Sequence, residues 1–305
     1  MLGFIAAIAT FYSVASYILL RRPTILHRRK QFPIDAPHIS HRGGSGEKIE
    51  NTLEAFSSSL LAGTNMFETD CHLTKDNQVV VFHDQSLDRC TGVSGLIKDF
   101  SYEDLPRYLN VIEVQFSPGS FCNEMSSPSY KIARLKDLFL KFPDIPINID
   151  IKVHDDLLIN EVARLIETHN RERITIWGHS YFPSILLRRV DNGLLFFGLL
   201  PFLPIKYDCF ELPLISVIRS NEFARRRNWH GFLPNTALLL SEYVLSSSLF
   251  IQHLRKRGIP VFFWVCNNEN DMRKAFEIGA SGVMTDYPKE LTNFLKNNPK
   301  FPKVF

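Results

Sequence analysis

Acidic side chains recur near the ends of short apolar runs in this sequence of 305 residues. Glu68 and Asp70 stand two residues apart in Met66–Leu73, so both carboxylates share one face if this run is a β-strand. Two adjacent carboxylates repel each other and raise the pKa of one of them, unless a cation lies between them. Ligands that are all oxygen favour Mg²⁺ or Ca²⁺. The pair therefore predicts a site for one divalent cation, and Asp150 in Ile147–Val153 brings a third carboxylate to a similar position.

Histidines and cationic side chains occupy comparable places. His83 ends the apolar run 79–82, His41 and Arg42 end another run, and Lys152 shares a strand face with Asp150. Histidine exchanges a proton near neutral pH, and both arginine and lysine bind phosphate. Each feature also has a structural explanation, because a lone strand histidine is usually a satisfied structural group and a Glu-x-Asp pair is usually a solvated face. Taken singly, these residues do not establish a site.

The elements that carry these residues alternate between strands and helices, as in repeated β/α units. The predicted strands are His38–Gly43, Met66–Leu73, Val79–Asp84, Ile147–Val153, Ile174–Ser180, Val261–Asn267 and Gly282–Asp286. The predicted helices are Thr52–Ala62, Asp155–Asn170, Phe182–Asp191, Ser241–Arg257 and Glu269–Ile278. We therefore expect an α/β fold, a TIM-type (β/α)8 barrel over residues 38–297 with a tail at 298–305.

Not every predicted strand fits the barrel equally well. Val79–Asp84 is better interpreted as a hairpin partner than as a barrel strand, and residues 85–131 as an excursion between the second and third barrel strands. Strands five and six would have to come from Leu194–Leu200 and Gly231–Pro234. The nearly apolar stretch Gly193–Ile205 is either a buried strand with a turn or a surface loop that dips into a bilayer. It is too short to cross a membrane.

The joint position of the charged residues favours function over the structural explanations. Active sites of β/α barrels lie at the C-terminal ends of the strands. Three carboxylates, two histidines, an arginine and a lysine all fall at those ends. They are Glu68, Asp70, Asp150, His41, His83, Arg42 and Lys152.

The first twenty residues carry no charge and are followed at once by Arg21 and Arg22. Twenty helical residues span ~30 Å, the thickness of a bilayer's hydrocarbon core. We therefore predict a transmembrane anchor at residues 1–20 and a basic juxtamembrane linker at 21–37. A cleaved signal peptide is the alternative, but the segment lacks a basic start and a small-x-small cleavage site. The following basic cluster favours a cytosolic body under the positive-inside rule.

Charge and cysteine content narrow the classes further. Residues 1–30 hold five basic residues and no acidic residue, so removing them from the net charge of +3 leaves the remainder at −2. A mildly acidic body argues against nucleic acid binding. The five cysteines are scattered without CxxC spacing, which argues against a disulfide framework or zinc site. Together with the lack of an Asn-x-Ser/Thr sequon, this favours a reducing compartment without excluding the lumen of the endoplasmic reticulum.

Seven short motifs carry a resemblance to a known family. They are His41-Arg42-Gly43, Glu50-Asn51-Thr52, Glu68-Thr69-Asp70, His83-Asp84, Asn148-Ile149-Asp150-Ile151-Lys152, Trp264 and Thr285-Asp286-Tyr287-Pro288. Their order and spacing resemble the glycerophosphodiester phosphodiesterase family over residues 38–297. The resemblance is greatest to its membrane-anchored, domain-containing proteins 1 and 3, which act as lysophospholipases D. The third metal carboxylate of the family is often Glu and is Asp150 here.

The resemblance implies a role for each matched residue. Glu68, Asp70 and Asp150 would hold one Ca²⁺ or Mg²⁺ ion, with His83 as a further candidate ligand. His41 and His83 would be the acid and base, in an order left open. Arg42 and Lys152 would bind the phosphate. Glu50 would contact the residues that bind the metal and phosphate without touching either ligand itself. Trp264 would contact the glycerol or acyl chain, or else be a core aromatic residue.

Several alternatives follow from the same resemblance. The substrate would be a lysophospholipid met at a membrane, implied to be the endoplasmic reticulum in a single-pass arrangement. A second hypothesis is an enzyme for water-soluble, deacylated glycerophosphodiesters. A third is a catalytically silent membrane protein, because the interval between the Trp177 strand and Leu199-Leu200-Pro201 is shorter than in relatives and strand five could be shortened. No motif indicates a protein partner.

Overall fold

The computed structural model describes residues 2–125, 129–179, 199–214 and 247–302. Ten strands occur in these ranges. They are β1 His38–Ser40, β2 Met66–Leu73, β3 Val79–Val81, β4 Val111–Glu113, β5 Phe121–Asn123, β6 Ile147–Ile151, β7 Thr175–His179, β8 Phe210–Pro213, β9 Val261–Trp264 and β10 Gly282–Thr285. The α-helices there are α1 Leu2–Arg21, α2 Leu53–Leu61, α3 Asp88–Thr91, α4 Leu135–Lys141, α5 Asp156–Thr168, α6 Ser248–Lys256, α7 Glu269–Ile278 and α8 Pro288–Asn297.

Seven of these strands form one parallel sheet in the order β7-β6-β2-β1-β10-β9-β8. The first and last β/α units of the chain meet where β1 pairs with β10, which is the arrangement of a TIM-type barrel. β3 pairs antiparallel with β2, so its interpretation as a hairpin partner is confirmed. β4 and β5 form a separate two-stranded sheet within the excursion.

The fifth and sixth barrel strands are the part of the fold that the sequence placed poorly. β8 at Phe210–Pro213 pairs with β9 and was not predicted. It is only four residues long and contains a glutamate and a proline, which weaken a strand signal. Leu200, expected in a strand, begins a 3₁₀ helix that runs to Phe202. Most of Leu194–Leu200, all of Gly231–Pro234 and the predicted helix Phe182–Asp191 lie outside the described residues, as does the start of Ser241–Arg257.

Aromatic side chains fill the space between the sheet and its outer helices. Phe67 on β2 packs against Phe56 on α2 at 5.0 Å and against Phe142 at 5.1 Å between ring centroids. Near β9 and β10, the Phe276 ring of α7 stacks with the Phe294 ring of α8, with centroids 6.1 Å apart. The apolar face of each strand is used in this packing, so the alternate residues at the strand ends are left to face the barrel mouth.

The N-terminal segment ends in contact with the barrel. Among the described residues one helix, Gly3–Arg21, is long and apolar enough to cross a membrane, and 6% of its most apolar window is buried. Length and composition of this kind also occur in signal sequences. The basic segment that follows is packed against the body, because the Lys30 amide donates to the Arg257 carbonyl at 2.8 Å and Ile34 is buried.

Candidate active site

The first candidate residues sit on a sharp turn at the end of β1. His41–Gly43 forms a 3₁₀ turn in which Arg42 has a φ of 51° and Gly43 a φ of 79°. A side chain on Gly43 would place its Cβ 3.0 Å from that of Ala55 on α2, so both the turn and the close helix require glycine there. The turn places His41 and Arg42 above the carboxyl end of the sheet.

His41 is oriented by a carboxylate from the last strand. Its Nδ1 lies 2.5 Å from Oδ1 of Asp286, which also accepts a hydrogen bond from Ser45. Asn267 donates to the other carboxylate oxygen at 2.6 Å. Burial opposes ionisation of Asp286, but His41 and these hydrogen bonds hold its pKa below the usual value. A carboxylate at Nδ1 makes that nitrogen the donor, so Nε2 is the acceptor nitrogen of the neutral ring.

His83 repeats this arrangement on the neighbouring hairpin. Its Nδ1 lies 2.5 Å from Oδ1 of Asp84, whose other oxygen accepts a hydrogen bond from Arg89 at 2.5 Å. Burial, followed by the positive charge of Arg42, lowers the pKa of His83, while Asp70 and Asp84 oppose that shift. Both histidines therefore carry a carboxylate on Nδ1, which makes Nε2 the acceptor nitrogen of each neutral ring.

The three candidate metal carboxylates lie on two adjacent strands. Parallel pairing of β2 with β6 sets Asp70 beside Asp150. The Lys152 ammonium lies between them, 2.6 Å from Asp70 and 2.9 Å from Asp150. Glu68 accepts a hydrogen bond from the Arg42 amide at 2.9 Å.

The protonation tendencies of the two β2 carboxylates diverge. Burial and the negative charge of Asp70 raise the pKa of Glu68 well above its usual value. Burial also opposes ionisation of Asp70, but Lys152 and its other positive neighbours outweigh it and lower the pKa of Asp70. Divergent pKa values at adjacent carboxylates are a frequent mark of functional sites.

A divalent cation fits these residues in charge and donor type. Both Asp70 carboxylate oxygens are buried and lack a partner in hydrogen-bond geometry, although Lys152 lies close to one of them. Oxygen donors on one face suit Mg²⁺ or Ca²⁺. Within the described ranges, no three His, Cys, Asp or Glu side chains are grouped closely enough to coordinate an ion, and the Asp70 carboxylate is paired with Lys152 and Arg42. Binding an ion would require Lys152 to withdraw from between Asp70 and Asp150.

Glu50 connects the two halves of the site. It accepts two hydrogen bonds from Arg89, at 2.9 and 2.7 Å, and one from Arg42 at 3.3 Å. Arg89 holds Asp84 and thereby His83, while Arg42 lies beside Asp70. Glu50 is 3% exposed, so this link between the histidine and the carboxylates is buried.

Comparison with known proteins identifies the family. The model of the glycerophosphoryl diester phosphodiesterase family matches residues 41–290. The chain belongs to this family. Human "Lysophospholipase D GDPD1" is 42% identical over 304 residues, which is 94% of each chain. Human "Lysophospholipase D GDPD3" is 35% identical over 304 residues, 94% of this chain and 93% of that protein. This family member is therefore a phosphodiesterase, and the hypothesis of a silent membrane protein is set aside.

Solved structures of family proteins share the fold. The glycerophosphodiester phosphodiesterase from Thermotoga maritima is 27% identical with a TM-score of 0.53, over 89% of this chain and all of that chain. A related protein from Silicibacter pomeroyi gives a TM-score of 0.59 at 20% identity, over 87% of this chain and 96% of that chain. The TIM-type barrel expected from the sequence is thereby confirmed for this phosphodiesterase.

Two predicted phosphate-binding residues are already engaged in this phosphodiesterase. Arg42 is 1% exposed, and its guanidinium contacts Glu50, Asp70 and the Gln115 side chain. Lys152 is held by Asp70 and Asp150. Substrate phosphate would have to compete with these carboxylates, unless a cation first neutralises them.

Trp264 lies at the end of β9, half-buried, and reaches the site through one aromatic neighbour. Its ring packs edge-on against Phe116 at 6.0 Å, and Phe116 packs in turn against His41 at 5.5 Å. Trp264 therefore borders the histidine side of the site, where a glycerol or acyl chain could lie.

Sequence reasoning left several site residues without a role. They are Ser45, Asp84, Arg89, Gln115, Phe116, Asn267 and Asp286. The roles of Asp286 and Asp84 could have been predicted, because Asp286 ends a predicted barrel strand and Asp84 directly follows the candidate histidine His83. Arg89 and Gln115 come from the irregular excursion and had no comparable signal.

Proposed function

We propose that this phosphodiesterase is a lysophospholipase D, which cleaves a lysophospholipid into lysophosphatidic acid and its head-group alcohol. The main support is the pair of histidines that present Nε2 beside a cluster of carboxylates at the barrel mouth. Two relatives that cover nearly the whole chain are named lysophospholipase D. The proposal includes α1 as a single membrane anchor, in the endoplasmic reticulum that the family resemblance implies.

The two histidines divide the proton transfers between them. One accepts a proton at Nε2 from the attacking hydroxyl, and the other donates a proton to the oxygen of the departing head group. Asp286 and Asp84 keep Nδ1 of each ring protonated and so keep Nε2 available. A divalent cation held by Glu68, Asp70 and Asp150 would neutralise charge on the phosphate oxygens. Lys152, released from the two aspartates, adds positive charge to the same place.

The nucleophile in this proposal is the free glycerol hydroxyl next to the phosphodiester. Its oxygen attacks phosphorus, the bond from phosphorus to the head-group oxygen breaks, and a cyclic phosphate forms. Water then opens the ring to give lysophosphatidic acid. Intramolecular attack has a high effective molarity, up to about 10⁵–10⁸ M in well-oriented cases, which water lacks. An acyl group on that hydroxyl blocks the route, which accounts for a preference for lyso substrates.

Lysophosphatidylcholine and glycerophosphocholine distinguish the two substrate hypotheses. Purified protein in detergent is assayed on each, with Ca²⁺, Mg²⁺ or EDTA. We expect lysophosphatidylcholine to be the better substrate and EDTA to stop turnover. Preference for glycerophosphocholine would favour the alternative, an enzyme for deacylated diesters. That alternative has its own support, because the Caldanaerobacter subterraneus relative, 28% identical over 85% of this chain, is named a glycerophosphodiester phosphodiesterase.

A substrate analogue tests the nucleophile. Lysophosphatidylcholine whose free glycerol hydroxyl is methylated should bind but remain uncleaved, because no internal nucleophile is left. Product analysis by mass spectrometry would detect any lysophosphatidic acid ether that forms. Cleavage at the normal rate would mean that water attacks directly, and lyso selectivity would then depend on the shape of the lipid pocket.

A further inference from the structure

The C-terminal half of α1 is a packed part of the protein body. Ser16 and Leu19 are buried, and Tyr12, Ala15 and Leu20 are partly buried, whereas residues 3–11 are exposed. These positions recur every three or four residues, so they form one face of the helix. That face packs on α6 and on the 3₁₀ helix Leu200–Phe202. The C-terminal half of α1 is therefore attached to the body and is not a free tether, whereas the N-terminal half projects from it.

Side chains of α6 cap the end of α1. His253 donates from Nδ1 to the Leu20 carbonyl at 2.9 Å, and Lys256 donates to the Arg21 carbonyl at 3.1 Å. The last carbonyls of a helix have no partner within the helix, so these bonds satisfy groups that would otherwise need water. The capping fixes the position of α1 relative to the start of β9, which follows α6.

A set of exposed apolar side chains surrounds the foot of α1. We call Ile25, Leu26, Leu199 and Leu203 the anchor-side surface. Ile25 and Leu26 are 58% and 52% exposed, and both leucines of the second pair are 40% exposed.

Two contacts show that this surface is continuous with α1. His27, next to Leu26, bonds through Nε2 to the Pro201 carbonyl at 2.9 Å. The Tyr12 ring of α1 stacks on the Phe202 ring, with centroids 5.9 Å apart. Phe202 is the residue next to Leu203, so the apolar side chains and the helix lie together.

The length of α1 relates this surface to the depth of a bilayer. Among the described residues of α1, positions 3–11 are exposed, and nine helical residues are about 14 Å long, nearly half of a hydrocarbon core of about 30 Å. If α1 enters only to Phe11, then Tyr12 and Phe202 lie at the hydrocarbon boundary. If α1 crosses the whole core, they lie deeper. At either depth Phe202, and with it the neighbouring Leu203 of the anchor-side surface, lies at or within the hydrocarbon.

Charge next to this surface favours a bilayer as its occupant. Arg21 ends α1, and Arg22, Arg28 and Arg29 lie in the segment that follows; all four are exposed. Basic residues close to a membrane are attracted to anionic head groups, by roughly 1 kcal/mol each. The Arg21 guanidinium also lies 5.2 Å from the centre of the Tyr17 ring, a pairing suited to the interface between lipid and water.

We propose that the anchor-side surface is inserted in the same lipid bilayer as α1, so that the barrel rests on the membrane through four apolar side chains. This inference extends the membrane location of the proposed function. It concerns the protein surface alone and needs no turnover for its test.

Lipid-dependent quenching of a fluorescent label tests this insertion. The full chain carrying Cys209→Ser, which removes the only cysteine that is not buried, receives Leu203→Cys and a bimane label. It is reconstituted in vesicles of phosphatidylcholine and phosphatidylserine. The matched control is Leu157→Cys on α5, which is 47% exposed and belongs to the β6 side of the sheet, away from β8 and β9.

We expect label 203 to lose most of its emission to phosphatidylcholine with a nitroxide near the head group and little to aqueous iodide. Label 157 should show the reverse. Equal quenching of both labels by iodide would overturn the inference, since the surface would then lie in water. Protection of label 203 from both quenchers would overturn it too, because a protein would then cover the surface. Unchanged thermal unfolding of each labelled protein in detergent confirms that the fold is kept.

Discussion

Replacing Glu50 with glutamine should destabilise the protein by about 3–5 kcal/mol, the usual cost of breaking a buried ion pair from one side. Glutamine keeps the shape of the side chain and still accepts a hydrogen bond, but it removes the negative charge. The Arg42 guanidinium, 1% exposed, and the Arg89 guanidinium then share one buried region without the carboxylate that binds both. Asp70 and Asp84 stay beside Arg42 and Arg89, so the substitution leaves one excess positive charge near His83.

The pKa of Glu50 gives an independent magnitude. Burial alone would raise it, but Arg89 and Arg42 hold the pKa of Glu50 at about 2, against an ordinary value of 4.5. A difference of about 2.5 units corresponds to about 3 kcal/mol. Since the folded-state pKa is depressed, this stabilisation is fully present above pH 4.5 and is lost as the pH falls toward 2. The two magnitudes agree.

Denaturant unfolding in detergent at pH 7 measures the effect. The matched control is Glu269→Gln, because Glu269 is 65% exposed and pairs with Arg273 at 2.5 Å on the surface of α7. An exposed pair of this kind contributes about 0–1 kcal/mol. If Glu50→Gln lowers the free energy of unfolding by no more than Glu269→Gln does, the buried contacts of Glu50 do not stabilise the fold. The gap between wild type and Glu50→Gln should also narrow between pH 4.5 and 2, and a gap independent of pH would contradict the explanation by charge.

Five further substitutions test the site and the fold. Asp70→Asn should abolish turnover in a folded protein, and normal turnover with retained metal binding would contradict the cation site. His41→Ala and His83→Ala should each lower kcat by roughly 10²–10⁴. Asp286→Asn should lower kcat with little change in KM, because an amide can hold His41 in the wrong tautomer. Burial lowers the pKa of His38 from 6.5 to about 4. Because the folded protein favours the neutral ring, the free energy of unfolding should decrease by about 3 kcal/mol as the pH falls from 6.5 to 4. His38→Gln should remove this pH dependence.

The sequence by itself determined the chemistry that each strand end carries. A period of two along a strand is a local property, so it predicted that Glu68 and Asp70 share a face and that Lys152 joins Asp150. The structure keeps both relations and places β2 beside β6. The length and apolarity of the first twenty residues likewise need no tertiary contact to predict a helix.

Only the tertiary structure decided which partners orient these groups. His41 meets Asp286 across 245 positions, and Glu50 meets Arg89 across 39. Such contacts depend on where the chain closes between β1 and β10 and on how the excursion folds back. The short strand β8 is defined by its pairing with β9 and not by its own residues. The sequence also could not predict which face of α1 packs on α6. An apolar helix has similar side chains on all its faces, so the face that is buried depends on the neighbouring elements.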